Sequence, residues 1–349
     1  MAYLPLSTAN LPDPVIDPAQ DESPEDYFNT VLYTGNATDN HQITGVGFQP
    51  DFLWIKQRSG TEWHNVQDVV RGVQEGLFPN DTYQEVTRTN AVKSFDTDGF
   101  TLGDNSGSGW NTSGSTYVAW NWKANGTGVS NTDGSITSTV SANTTSGFSI
   151  CTFTDAGSAG TVGHGLGVKP DLIIQKPRSG TNDWYVFTEV IDGSFDFLNL
   201  NTTGAKNNST LSAPTSTVFS NLQISGDTVA YCFHSVEGFS KFGSYVGNGS
   251  ADGPFVYTGF RPAFLLIKNA SASFNWIMTD SIRNTSNIDA NWKWLYPHLS
   301  VAENSPSVFV DYTSNGFKLR SSGADVNGSG NTIIYMAFAE MPTKFSLAR

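Results

Sequence analysis

The chain has 349 residues, and its 19 basic and 32 acidic side chains give a formal net charge of −13. This acidic balance disfavours a nucleic-acid partner, because phosphate backbones are repelled. Charged residues make up only 15% of the sequence and aromatic residues 13%, a bias typical of β-proteins with many turns. No apolar run is long enough to cross a bilayer and no secretory signal is recognisable at the N-terminus, so membrane insertion is not expected.

Residues 1–30 predict an extended, proline-rich arm. Five prolines and several acidic residues fall in this stretch, and proline fixes φ and removes backbone donors. One interpretation is a flexible tail, and the other is a peptide that docks on another protein. The apolar residues that would fill pockets on such a partner are Leu4, Leu6, Leu11, Val15 and Ile16.

From residue 31 onward the sequence contains three related copies of one unit. Each copy has an apolar block that starts at a glycine and ends on a lysine, at residues 47–56, 167–176 and 259–268. The short apolar run in each block predicts a buried strand, with the lysine at its exit to solvent. A tryptophan follows each block at nearly the same distance, and Trp63, Trp184 and Trp276 are therefore predicted to fill the core.

The predicted fold class is all-β, with tandem antiparallel β-sandwich modules of jelly-roll or lectin-like type. Asp-Gly and Asn-Gly pairs between strand-like runs supply the positive φ values of tight hairpins. The predicted units are the arm (1–30), repeat 1 (31–126), a linker plus repeat 2 (127–240), and repeat 3 (241–349). Stacking of the three copies, or trimerisation of the chain, would cover the remaining apolar faces.

Local differences between the copies refine this prediction. Copies one and three share a turn before their closing strand, at residues 96–102 and 312–319, and copy two lacks it. The Gly/Ser/Thr/Asn-rich stretch 124–146 is interpreted as a connector, and residues 66–76 give the only hint of a helix. An Asp–Arg pair recurs at Asp68 and Arg71 and at Asp280 and Arg283, which predicts an ion pair that pins a loop.

No catalytic or cofactor-binding residues are predicted. The five histidines are scattered, and neither His-x-x-x-His nor Cys-x-x-Cys spacing occurs. The run Asp96-Thr97-Asp98-Gly99 resembles the start of a calcium loop but lacks the later ligands; a hairpin turn is favoured, with Ca²⁺ as the alternative. Cys151 and Cys232 lie in strand-like runs and are interpreted as small core residues rather than as a disulfide.

Four aromatic residues fall outside the repeated positions. They are Trp110, Trp292, Trp294 and Tyr296. Flat rings of this kind bind sugar faces in lectin-type sites, and they also form subunit contacts. Both interpretations, a glycan contact and a subunit contact, stay open for these four residues.

Several segments resemble a repeat of tailed-bacteriophage virion proteins, often labelled tail fibres and including those of marine phages and cyanophages. The segments are residues 164–176, 239–249, 253–262, 315–320 and 335–340. The resemblance covers nearly all of residues 31–342. It implies a lectin-like β-sandwich and a structural or adhesive role, and it carries no catalytic residues.

The sequence therefore predicts a virion structural protein that is not an enzyme: a short tail fibre or tail-associated adhesin. Its arm would bind other virion proteins, and its modules would contact a host surface glycan or receptor, with a homotrimer favoured. It would be made in the host cytoplasm and end on the tail or the outer particle surface. The alternatives are a capsid decoration or cement protein and a glycan depolymerase, for which the candidate carboxylates are Glu62, Asp68, Asp183 and Glu189.

Overall fold

The computed structural model describes residues 15–16, 22–104, 109–287, 292–305 and 309–340. The predicted all-β fold is confirmed: the chain forms several antiparallel sheets. The helical elements in these ranges are a 3-10 turn (Pro24–Asp26) and the short helix α1 (Ala324–Asn327). Neither is long and apolar enough to cross a membrane.

Each sequence copy forms one two-layered sandwich, and copy one supplies nine strands. Its inner sheet has the order β1-β9-β3-β4-β5-β6 and its outer sheet the order β2-β8-β7. The strands are β1 (Phe28–Thr34), β2 (His41–Thr44), β3 (Phe52–Gln57), β4 (Asn65–Asp68), β5 (Gly72–Leu77), β6 (Val86–Thr87), β7 (Val92–Asp96), β8 (Gly99–Leu102) and β9 (Thr116–Trp122).

Copy two has a wider inner sheet and a narrower outer sheet. The inner order is β10-β11-β12-β19-β14-β15-β16-β17, and the outer sheet is the pair β13-β18. The strands are β10 (Val129–Asn131), β11 (Ser138–Asn143), β12 (Phe148–Asp155), β13 (Thr161–Gly163), β14 (Leu172–Pro177), β15 (Tyr185–Thr188), β16 (Asp196–Asn199), β17 (Asn207–Asn208), β18 (Val218–Ser220) and β19 (Gly226–Phe233).

Copy three repeats the plan of copy one with fewer strands. Its inner order is β20-β26-β22-β23 and its outer order β21-β25-β24. The strands are β20 (Ser240–Val246), β21 (Phe255–Tyr257), β22 (Pro262–Asn269), β23 (Trp276–Asp280), β24 (Val310–Thr313), β25 (Gly316–Leu319) and β26 (Thr332–Ala339).

The three inner sheets face one another around a shared central core. Alternation along β3 shows how this arises, because Phe52 and Trp54 enter the central core while Leu53 and Ile55 enter the core of their own sandwich. The apolar blocks of copies two and three behave in the same way. Both faces of each block strand are therefore buried, which explains why the blocks are continuously apolar.

Two local predictions are wrong. The stretch 124–146 contains β10 and β11, which pair with each other and extend the inner sheet of copy two rather than linking two modules. The helical hint at residues 66–76 falls on β4 and β5, because tertiary pairing to β3 overrides the local pattern. In addition, β1 already begins at Phe28, inside the predicted arm.

Candidate functional site

The aromatic residues predicted as surface contacts are mostly internal. Trp110, Trp292 and Trp294 are buried and Tyr296 is half-buried, so the three tryptophans are not available to a glycan or to another subunit. The 292–296 segment takes the fifth position in the inner sheet of copy three, beside β23, because Leu295 exchanges backbone hydrogen bonds with Met278. Phe309 lies against Trp294 with ring centroids 5.0 Å apart and covers it.

The arm residues divide into two groups. Val15 is 55% exposed, whereas Ile16 is only 3% exposed and belongs to the central core of this same chain. Ile16 is therefore not available to a partner. The other predicted docking residues, Leu4, Leu6 and Leu11, lie outside the described residues.

The tryptophan repeat is confirmed at two positions and wrong at the third. Trp184 and Trp276 are 1% exposed, but Trp63 is 37% exposed. His64 takes the repeated place in copy one: it lies eight residues after Lys56, as Trp184 does after Lys176. Its Nδ1 accepts a hydrogen bond from the indole of Trp54, and burial lowers the pKa of His64 well below its ordinary value.

These three ring positions link the copies in a closed cycle. The His64 ring nitrogen Nε2 bonds the carbonyl of Tyr296 in copy three, at 3.0 Å. The Trp184 indole of copy two bonds the carbonyl of Phe78 in copy one, and the Trp276 indole of copy three bonds that of Asn199 in copy two, each at 3.0 Å.

A backbone hydrogen bond repeats the same cycle. The amides of Glu85, Lys206 and Glu303 each donate to a carbonyl of the neighbouring copy at 2.8 Å; the acceptors are Arg178, Ala270 and Arg58, respectively. The same contact therefore occurs at all three junctions, and the chain is an internal pseudo-trimer.

Two junctions also contain a buried chain of ionic groups. Between copies one and three, Asp280 accepts from Arg283 at 2.6 Å, and Arg283 donates to Glu303 at 3.0 Å. Glu303 in turn receives a two-pronged contact from Arg58 of copy one. The Trp120 indole of copy one donates to Asp280 at 3.0 Å. Burial raises the pKa of Glu303, but the two arginines outweigh it and hold the pKa below its ordinary value.

The junction between copies two and one has the same arrangement. Asp68 accepts from Arg71 at 2.5 Å, and Arg71 donates to Glu85 at 2.7 Å. Glu85 is also bonded by Arg178 of copy two, and the Tyr231 hydroxyl of copy two donates to Asp68 at 2.7 Å. The predicted Asp–Arg ion pairs are thus confirmed, and both bind across a junction as well as within a loop.

The three block lysines do not reach solvent, which corrects the sequence prediction. Lys56, Lys176 and Lys268 are all 0% exposed. Each ammonium group donates to two backbone carbonyls, for example Lys176 to Thr82 and Asn182. Burial lowers the pKa of each of the three lysines to about 8. Carbonyls at the end of the block and in the loop after it enclose Lys56 and Lys268, and Lys176 bonds one such carbonyl and the Thr82 carbonyl of copy one. The last residue of each block is therefore buried.

The two cysteines and the candidate calcium loop have structural roles. Cys151 and Cys232 are buried and free, in agreement with the core interpretation. Asp98, in the turn between β7 and β8, ties that turn to the loop after β2 by accepting from the amides of Gly45 and Gly47. Within the described residues, no group of three or more His, Cys, Asp or Glu side chains could hold a metal ion.

A groove in copy two is the main candidate for binding. It has a volume of about 420 Å³ and lies between strands β15 and β16 and the loops at 208–211 and 222–224. Tyr185, Phe187 and Phe197 line one side, with ring centroids 5.5–6.3 Å apart. Asn208 and Gln223 lie at its exposed rim. None of its lining residues is an acid, lysine, arginine or histidine.

The groove corresponds to a strand that copy two lacks. The outer sheets of copies one and three each have a third strand, β7 and β24, and the outer sheet of copy two has only two strands. Leu198 and Leu295 each pair with the residue at the same position of the neighbouring strand in their own copy. The residues just before them, Phe197 and Trp294, are therefore counterparts. Trp294 is covered by Phe309, and Phe197 stays partly accessible. The missing turn in copy two was the sequence signal for this difference.

The geometry describes an all-β internal pseudo-trimer whose second copy has a neutral, aromatic-lined groove. The chain belongs to the family described as "Domain of unknown function (DUF7483)", whose model matches residues 23–342. The match spans all three copies. No curated protein and no solved structure matches the chain.

Proposed function

We propose that the protein is a bacteriophage virion structural protein, a short tail fibre or tail-associated adhesin that contacts host surface glycans. The observation that carries this proposal is the closed cycle of junctions, in which hydrogen bonds join the copies at all three junctions and buried ionic groups do so at two of them. Together with the sequence resemblance, such a cross-linked body supports a role in holding on to another surface.

The proposal assigns no catalytic role to the chain. Three of the four candidate carboxylates for a glycan depolymerase have structural partners that support this: Asp68 binds Arg71, Asp183 accepts from two asparagine side chains, and Glu189 pairs with Lys169. Purified protein should leave the viscosity of host surface polysaccharide unchanged. A fall in viscosity that Asp183→Asn or Glu189→Gln abolishes would contradict the proposal.

Anchoring is assigned to the N-terminal arm ahead of the body. Because Ile16 is part of the central core, a deletion that tests anchoring should stop before it. A chain lacking residues 1–14 is expected to stay folded and to be lost from particles assembled with it. Normal incorporation of this variant would contradict the anchoring role.

The internal pseudo-trimer favours one alternative site on the particle, a capsid decoration or cement protein. A body with three similar junctions suits a threefold position of a shell. Immunogold labelling of intact particles separates the two: label on the tail supports the adhesin, and label spread over the shell supports decoration. The absence of label from purified particles would refute both.

A further inference from the structure

We propose that the groove of copy two is a binding site for a neutral saccharide. This rests on the proposed adhesive function and names the site through which it would act. The volume of about 420 Å³ lies at the small end of the usual range for ligand sites, so roughly one or two sugar rings would fit.

The aromatic side of the groove suits the apolar face of a sugar ring. The rings of Tyr185 and Phe187 are nearly parallel, with an interplanar angle of 22°. Phe197 lies within 6 Å of both rings, as measured between centroids. Tyr185 and Phe197 are only half-buried, although they belong to the sandwich interior. A pyranose ring that lies on Tyr185 and Phe197 would cover them, as Phe309 covers Trp294 in copy three.

The rim supplies groups for sugar hydroxyls. The side chains of Asn208, Thr210 and Gln223 make no hydrogen bond to the described part of the chain, so their amides and hydroxyl are free to bind a ligand. Gln223 has a φ of +61°, a left-handed backbone conformation that is uncommon for its residue type. Such conformations cluster at ligand sites.

The uncharged lining and the hydrogen bonds along the edge of β18 disfavour other ligands. The lining carries no ion-pairing group, and the chain is acidic overall, so a uronate or sulfated glycan is disfavoured. A peptide strand would need a free edge on β18, but the Val218 carbonyl already accepts from Thr215, and that of Ser220 from Gln175. The groove therefore suits a small neutral ligand with hydroxyls.

The test is saturation-transfer NMR on the full chain with neutral hexasaccharides of glucose, mannose, galactose and N-acetylglucosamine, and with oligogalacturonate as the charged comparator. At least one neutral sugar should bind with millimolar affinity. Phe197→Ala should weaken that binding by about tenfold. The matched control is Tyr257→Ala, an exposed ring on copy three, which should bind as the parent does.

A second variant keeps the test valid if Phe197→Ala does not fold. Asn208→Ala combined with Gln223→Ala removes side chains without partners, so the fold should persist and binding should fall severalfold. The proposal is overturned if no neutral sugar binds, if oligogalacturonate binds better, or if both groove variants bind normally. Loss of sugar binding in variants that still enter the particle would leave the structural role standing.

Discussion

The copy three–copy one junction and the copy three–copy two junction have the same backbone contact, but their buried side chains differ. The first contains the buried chain of Asp280, Arg283, Glu303 and Arg58. The second replaces every member, with Thr188, Ile191, Lys206 and Ala270 in the corresponding places and Met336 at the position of Trp120. Lys206 pairs with Asp192 and Asp196 of its own copy, so the ionic chain does not cross this junction. All five groups change together, so the ionic chain behaves as a single unit.

Electrostatics explains why intermediate arrangements are absent from these junctions. Taking a charge out of water costs several kcal/mol, which only a complete set of partners offsets, whereas a well-packed apolar replacement is often equally stable. Either complete version can therefore form a junction, and a partial one leaves a buried charge without its partner. This comparison gives three predictions.

The largest effect is expected from removing one member of an ionic chain. Asp280→Ala leaves Arg283 buried without its nearest carboxylate and should lower the free energy of unfolding by about 3–5 kcal/mol. Thr188→Ala, at the corresponding place in the copy three–copy two junction, removes a hydroxyl that donates to the Asp171 carbonyl and accepts from the Val190 amide, and it should cost about 1 kcal/mol. Denaturant unfolding measures both, and equal losses would contradict the distinction.

Importing the uncharged pair of the copy three–copy two junction should recover about half of that loss. Asp280→Thr combined with Arg283→Ile copies Thr188 and Ile191 and removes the buried charge together with its partner. We expect this double variant to be more stable than Asp280→Ala by about 2 kcal/mol. A double variant as unstable as the single one would show that the ionic chain stabilises the junction beyond satisfying its own charges.

The smallest effect concerns pH. The pKa of Glu303 is lowered in the folded chain, so its stabilisation is present above the unfolded pKa and is lost as pH falls through the folded one. Glu303→Gln should cost about 1 kcal/mol near neutral pH, and the difference should shrink in acid. Unfolding measured at both pH values with each protein tests this, and a constant difference would contradict it.

The sequence predicts the repeated architecture well because periodic patterns carry it. The apolar blocks, the hairpin turns and the Asp–Arg pairs recur in register and were assigned correctly. The prediction for the repeated tryptophan was wrong in copy one because it followed residue type and chose Trp63. The repeated position, eight residues after Lys56, is occupied by His64. Counting eight residues in each copy would have found it.

Burial by a neighbouring copy was not predictable from local sequence. A lysine at the end of a strand is normally exposed, and only the folded loop shows that carbonyls enclose Lys56 and its two counterparts. Trp292 and Trp294 looked unrepeated because their counterparts in copy two are phenylalanines. The groove beside Phe197 was likewise missed, since it depends on a strand that is absent rather than on a residue that is present.

The cyclic closure has a consequence for the covalent order of the chain. The ring of Phe28, at the start of β1, stacks on that of Phe338, near the end of β26, with centroids 4.9 Å apart. Copies one and three thus meet without a peptide link, through the same contacts that join linked neighbours. A circularly permuted gene that is opened near Gly126 and connects the end of β26 to the start of β1 through a tether should encode a protein with the same native topology. The order in which the copies are translated should then not determine the native fold.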